Sequence, residues 1–347
     1  MKACFQPHSL HFKKPGGTSR GVLYTKETYF LLLEDQGVTG IGECAVFRGL
    51  SVDDRPDYEE KLSWLCAHIN QPPASLLEAL VEFPSIQFGL EQALRSLKAD
   101  SPYLLFPSTF TRSEASIPIN GLIWMGSPDT MKKQVEEKLA QGFRTLKMKI
   151  GALDFETELA LLKTIRQRYA SENLVLRVDA NGAFHPDKAL QKLYQLAEFD
   201  VHSIEQPLAS GQHDALAPLC EQSPVPIALD EELIGVLDPA EKKKLLAVIK
   251  PHYLVLKPSL IGGFCGTNEW ISLAVSEGIG WWITSALESN IGLNAIAQFT
   301  HTLGNPMPQG LGTGALFTNN IDSPLKVNNG FLQYDKNIPW KFNPSTP

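Results

Sequence analysis

Residues 145–150 read TLKMKI, 176–182 LRVDANG, 203–208 SIEQPL, 227–232 IALDEE and 254–260 LVLKPSL. Each is a short apolar run that meets charge near its end: Lys147 and Lys149, then Asp179, Glu205, Asp230 and Lys257. Asp179 to Glu205 is 26 residues, Glu205 to Asp230 is 25, and Asp230 to Lys257 is 27. One strand, one helix and two loops use about that much chain in a βα unit. In a parallel barrel all strands end at one face, and that face carries the chemistry. The repeat therefore gathers three carboxylates, flanked by lysines. Three like charges repel unless a cation sits among them. Oxygen-only ligands select a hard ion, Mg²⁺ first, with Mn²⁺ as the substitute.

Outward from this stretch, the chain of 347 residues is long enough for one large domain or two. Its 43% hydrophobic and 20% charged content suit a soluble globular protein. A net charge of −7 leaves no basic excess for nucleic acid. No apolar run reaches bilayer-spanning length, and the N-terminus has no extended apolar segment of signal-peptide type. The five cysteines are odd in number and form no CxxC pair, so reduced thiols and a cytoplasmic location are expected. The expected partner is a small molecule. A homo-oligomer is compatible with the sequence.

From the N-terminus, residues 1–45 read as antiparallel strands. TYFLLLED and VTGIGECAVF are joined at Gln36-Gly37, a hairpin signal. KPGGTSRG, 14–21, reads first as a surface turn. Its second reading is a mobile lid in which Thr18, Ser19 and Arg20 touch substrate. Residues 51–101 carry apolar spacing of three and four, so the first unit is α+β. SIPINGLIW reads as one strand, after which Ser127-Pro128 and Gly142 bracket a helix. Lys147 and Lys149 share one strand face, and Leu146, Met148 and Ile150 share the other. Alternation then continues to NIGLNAIAQFTHTLG, about seven strand–helix units in all. The Asn- and Pro-rich tail, 320–347, is expected to return over the first domain.

Taken singly, each acid has a plainer explanation. Asp179-Ala-Asn-Gly suits a loop satisfied by its own backbone, and the triple acid at Asp230 suits a helix start. Glu205 is harder to dismiss, because a carboxylate after an apolar strand needs a partner. All three at one phase of a repeat favour a metal. Lys147 and Lys149 fit poorly as a solvated edge of a central strand, and Lys257 alone suits a salt bridge. An unperturbed lysine, pKa about 10.4, is too basic for a general base near neutrality. A neighbouring cation lowers it towards about 7–8.

KMK, VDAN, IEQP, LDEE and LKPS together resemble the enolase superfamily, in its muconate-lactonizing-enzyme-like branch. That branch carries K-x-K on the second strand, Asp, Glu and Asp on the third to fifth, and Lys on the sixth. GIGECAVF and FPSIQFGLEQAL also resemble its capping domain. The resemblance implies an α/β fold: a modified TIM barrel (β/α)7β with an α+β capping domain. The capping domain would span 1–110, completed by 320–347, and the barrel 115–318. It implies Lys149 as the base, Lys147 as its tuning neighbour, Lys257 on the opposite face, and Asp179, Glu205 and Asp230 as Mg²⁺ ligands. The shared step is removal of a proton α to a carboxylate, with the metal on the enediolate.

Within the branch, TSALESNIGL (284–293), LRVDANGAF and the early TSRG resemble a dehydratase group of menaquinone biosynthesis. That likeness nominates Ser285, Arg177 and Ser19 as substrate contacts. Dipeptide epimerases of the branch carry Asp-x-Asp near the barrel's end, where this chain reads GLGTGALF, 310–317, without an acid. Gly310 and Gly312 would then offer backbone N–H groups to a carboxylate, or form an ordinary turn. Racemisation of an N-acylamino acid or epimerisation of a dipeptide is the alternative activity, and a muconate cycloisomerase-like one a third.

Overall fold

The computed structural model describes residues 1–18 and 21–342. Ser19 and Arg20 lie outside the described residues. Three antiparallel strands open the chain: β1 (Lys2–Thr18), β2 (Gly21–Asp35) and β3 (Val38–Cys44), in the order β1-β2-β3. Gln36 and Gly37 turn between β2 and β3 with φ of 50° and 81°. Two-residue hairpin loops need this left-handed pair to match strand twist. Helices α1 (Tyr58–His68), α2 (Pro73–Ala79) and α3 (Pro84–Lys98) cover one face of the sheet. α3 lies directly on β3 because Gly42 has no side chain. A Cβ there would stand 1.9 Å from the Gly89 carbonyl oxygen.

The run 116–124, expected as one strand, is two: β4 (Ser116–Pro118) and β5 (Gly121–Ile123). From β5 the alternation holds: α4 (Pro128–Ala140), β6 (Thr145–Lys149), α5 (Phe155–Arg168), β7 (Val175–Asp179), α6 (Pro186–Ala197) and β8 (Val201–Glu205). It continues through α7 (His213–Gln222), β9 (Ile227–Leu229), α8 (Pro239–Ile249), β10 (Tyr253–Leu256), α9 (Gly263–Ser276), β11 (Gly280–Ile283) and α10 (Asn290–Thr302). Helix starts follow the expected capping chemistry. The Ser127, Asp154 and Asp238 side chains accept from N–H groups in the first turns of α4, α5 and α8.

Strands β5 to β11 form one parallel sheet in sequence order. An eighth short segment closes it. Gln309 N–H donates to the Pro118 carbonyl at 2.8 Å, and Gly310 N–H to that of Ile283 at 2.8 Å. Bridges Ile119↔Gln309 and Thr284↔Gly310 complete the ring. The result is a (β/α)7β barrel. Leu146, Met148 and Ile150 are buried against the helices, while Lys147 and Lys149 point inward. On β6 to β8, Lys149 pairs with Asp179 and Asp179 with Glu205, so three charges stand in one row.

The tail divides its attachment, which corrects the expectation that all of it covers the first domain. β12 (Leu325–Asn328) and β13 (Phe331–Tyr334) form a hairpin that pairs with β4 beside the barrel. The stretches on either side of the hairpin return to the N-terminal sheet, where Ile321 joins Trp340 and Phe342 against Phe30, Leu32 and Ile41. The Phe342 ring meets Phe30 at 4.7 Å, and Trp340 stacks on Tyr103 at 4.4 Å. Among the described residues no helix is long and apolar enough to cross a membrane.

Candidate active site

Strands β6 to β10 deliver their terminal charges to one end of the barrel. Asp179, Glu205 and Asp230 are 1–2% exposed, and Lys147 and Lys149 are 8–9% exposed. The Lys147 ammonium donates to both Glu205 oxygens at 2.7 Å and lies 2.9 Å from Asp179 Oδ2. Lys149 Nζ reaches the same Asp179 oxygen at 3.0 Å and the Asn181 side-chain oxygen at 2.6 Å. Lys257 pairs with Asp230. β6 and β10 are the second and sixth strands of eight, so Lys149 and Lys257 face the cavity from opposite walls.

The electrostatics follow from this pairing. Burial alone would lower the Lys147 ammonium's pKa, but Asp179, Glu205 and Asp230 outweigh it and hold it above the ordinary value. Lys257 is likewise pulled down by burial and pushed higher still by Asp230, Glu231 and Glu205. Burial opposes ionisation of Asp179, and Lys147 and Lys149 overcome it. Glu205 is shifted the other way. Burial pushes its carboxyl up, and Asp179 and Asp230 add like charge. The charges nearest the Lys147 and Lys257 ammoniums are thus carboxylates, which hold both above the ordinary value.

Among the described residues no three carboxylates converge as they stand into a ready ion cage. Ammonium groups take their oxygens instead. The donor set nevertheless fits a hard divalent cation. It is all oxygen and wholly buried, and it sits on three successive strands. Among the described residues Asp230 Oδ1 is buried with no hydrogen-bond partner, and Glu205, though paired with Lys147, has the like charges of Asp179 and Asp230 beside it. One ammonium already spans Asp179 and Glu205, so the two carboxylates can serve a single cation.

Surrounding residues hold this row in place. Gln206, at φ 41°, accepts through its side-chain oxygen from the Asp230 and Glu232 N–H groups and donates to Glu232 and the Leu208 carbonyl. Asn181, at φ 44°, holds Lys149 and donates to Glu231 at 2.9 Å. The left-handed conformation suits Asn, which hydrogen-bonds locally at low steric cost. IEQP, DANG and DEE contained these residues, but local reading gave Gln206 no role, placed Asn181 in a loop and placed Glu231 and Glu232 at a helix start.

The lysine row opens into a cavity of about 670 Å³ between barrel and capping domain. Lys13, Lys14 and Pro15 come from β1, and Leu23, Phe47 and Leu50 also come from the first unit. Lys133, Lys138 and Trp124 stand on the barrel side, with Glu137 and Asp179 the acids of the lining. Residues 14–18 belong to strand β1, where the sequence suggested a surface turn or a mobile lid, and Lys14 and Pro15 of that stretch line the cavity. Of the other nominated contacts, Ser285, Gly310 and Gly312 line the wall. Gly310 N–H is already bonded to Ile283, so it cannot serve a substrate carboxylate. Its glycine is needed because a Cβ would meet Thr284 Oγ1 at 2.0 Å. Arg177 does not reach the cavity. It is 2% exposed, donates to the Pro308 carbonyl at 2.8 Å and stacks on Trp282 at 4.0 Å, filling the barrel interior.

This fold and site define a class, and residues 130–338 match the family "Enolase C-terminal domain-like". The chain belongs to that family. It is 45% identical to the o-succinylbenzoate synthase of Desulfotalea psychrophila, over 96% of this chain and 98% of that protein. The crystal structure of MenC from the same organism superposes with a TM-score of 0.86 at 41% identity, covering 96% of this chain and 99% of that one. An N-succinylamino acid racemase of Thermus thermophilus is 31% identical, over 79% of this chain and 75% of that protein.

Proposed function

We propose that the protein is a divalent-metal-dependent carbon–oxygen lyase with o-succinylbenzoate synthase activity. The observation that carries the reading is the pair of lysines on opposite walls of one basic cavity, in a chain 45% identical to such a synthase over 96% of its length. The substrate class is a cyclohexadiene carboxylate with a ring hydroxyl and a succinyl arm. Its two carboxylates suit a lining that carries Lys13, Lys14, Lys133 and Lys138, and its ring suits Trp124, Phe47 and Leu287.

Lys149, once neutral, takes the proton α to the ring carboxylate, and the C–H electron pair moves into the enediolate. The ring C–O bond then breaks, and the proton on Lys149 leaves with the hydroxyl as water. The product ring is aromatic, which drives the step. Asn181 aims the Lys149 nitrogen through its 2.6 Å hydrogen bond. Lys257 presents positive charge to the enediolate from the other face. Lys147 stands beside the carboxylates and meets the substrate's carboxylate end. Asp179, Glu205 and Asp230 would hold Mg²⁺. When bound, the ion would supply charge to the enediolate oxygens and offset the carboxylates that hold the Lys147 and Lys257 ammoniums above the ordinary value. All five cysteines are free thiols, which supports a reducing cytoplasmic setting.

Steady-state turnover of the hydroxy-cyclohexadiene carboxylate, with Mg²⁺ and with EDTA, tests the reading. Metal-dependent dehydration is expected. A second reading is favoured by the same two lysines, since racemisation needs an acid and a base on opposite faces. α-Proton exchange of N-succinyl amino acids in D₂O, without dehydration of the ring substrate, would replace the first reading by the second.

A further inference from the structure

Glu288 is fully buried, and the reaction above does not use it. It lies between β11 and α10, and its carboxylate joins two parts of the cavity frame. One oxygen accepts from the Ser259 hydroxyl at 2.5 Å. The other accepts from the Ser285 hydroxyl at 2.5 Å and the Ala286 N–H at 2.8 Å. Ser259 sits in the 3-10 turn Pro258–Leu260, directly after Lys257, and Leu260 N–H closes that turn onto the Lys257 carbonyl at 2.8 Å. Ser285 is on the cavity wall, where it also accepts from the Thr313 hydroxyl at 2.9 Å. Neither Glu288 nor Ser259 lines the cavity.

A carboxylate this deep is costly unless donors and counter-charge meet it. Burial still pushes the Glu288 carboxyl up, with Glu43 adding like charge, but the three donors and the positive field of Lys26 from the capping domain oppose this. The Lys257 ammonium has its own tether in Asp230. That tether is lost whenever Asp230 turns to a metal ion. The Ser259–Glu288 link acts on the backbone of the turn instead, so it does not depend on what Asp230 holds.

We propose that Glu288 is a positioning residue that clamps the turn bearing Lys257 to the wall bearing Ser285, and so sets the reach of the Lys257 ammonium into the cavity. This rests on the reading of Lys257 as the ammonium facing the reacting carbon. The test uses Ser259→Ala, Ser259→Thr and Glu288→Gln in the full chain with Mg²⁺. Misplacing a catalytic group by a fraction of an ångström costs turnover rather than binding, so kcat of Ser259→Ala falls roughly tenfold with KM within about twofold. Ser259→Thr keeps the hydroxyl and recovers most of the rate, and Glu288→Gln behaves like Ser259→Ala.

A second readout needs no substrate. The acetic anhydride labelling rate of Lys257, read by peptide mass spectrometry, changes about threefold or more in Ser259→Ala while that of Lys149 does not. A folded Ser259→Ala with wild-type kcat, or with unchanged Lys257 labelling, overturns the proposal. If wild-type protein dehydrates nothing, the functional reading fails on that measurement, and the labelling arm alone decides for or against the clamp.

Discussion

Replacing Lys147 by Met should destabilise the metal-free protein strongly and the Mg²⁺-loaded protein weakly. The ammonium is 8% exposed and makes both described hydrogen bonds to the Glu205 carboxylate, at 2.7 Å each. Asp179 keeps Lys149 at 3.0 Å when Lys147 is lost, so one carboxylate, not two, is orphaned. Removing one partner of a buried pair costs about 3–5 kcal/mol. Glu205 can shed part of that by taking a proton, since burial and the flanking acids already push its carboxyl up. The loss at neutral pH should thus sit near the lower figure, about 3 kcal/mol. A divalent ion on Asp179, Glu205 and Asp230 would supply the missing charge, and ligand binding to the native state would add stability by mass action. Urea unfolding followed by tryptophan fluorescence, in EDTA and in excess Mg²⁺, reads both numbers. An equal loss in the two conditions would refute the placement of the ion at these carboxylates, and no loss in EDTA would refute the energetic reasoning.

Other outcomes follow from single contacts. Lys149→Ala should lower turnover by about 10²–10⁴-fold, the usual worth of a positioned base, while retaining substrate affinity by calorimetry. Asn181→Ala should cost roughly tenfold in kcat, because the 2.6 Å bond that aims Lys149 is lost; unchanged kcat would exclude that role. Gly42→Ala should destabilise by about 1–3 kcal/mol in chemical denaturation, since the new Cβ meets the rigid Gly89 carbonyl. His202 is held low, to about 4, by burial and by Arg177. The unfolded chain therefore binds more protons between that value and about 6.5, and stability should fall as pH drops through this window. His202→Gln should flatten that part of the pH–stability curve.

The repeat of strand-end charges was legible because parallel strands end at one face, and β6 to β10 deliver Lys149, Asp179, Glu205, Asp230 and Lys257 there. Helix caps at Ser127 and the hairpin at Gln36-Gly37 were legible because local backbone chemistry decides them. Arg177 misled for a definable reason. Period-two alternation tells that a side chain points into the barrel, but not how deep. Trp282, more than 100 residues away in the chain, offers the ring on which the guanidinium rests. Gly310 misled similarly, because a glycine's N–H is free only if no strand claims it, and barrel closure claims this one.

Sequence alone determined the strand–helix alternation from α4 to α10, its order and the chemical types brought to the barrel mouth, since each depends on residues near one another in the chain. Tertiary structure alone decided the pairings. Lys147 lies on Glu205 across 58 residues, Glu288 ties Ser259 to Ser285, and the tail splits between barrel and capping sheet. These depend on distances between groups that only closure of the ring brings together, and the field at each ammonium is a sum over those distances.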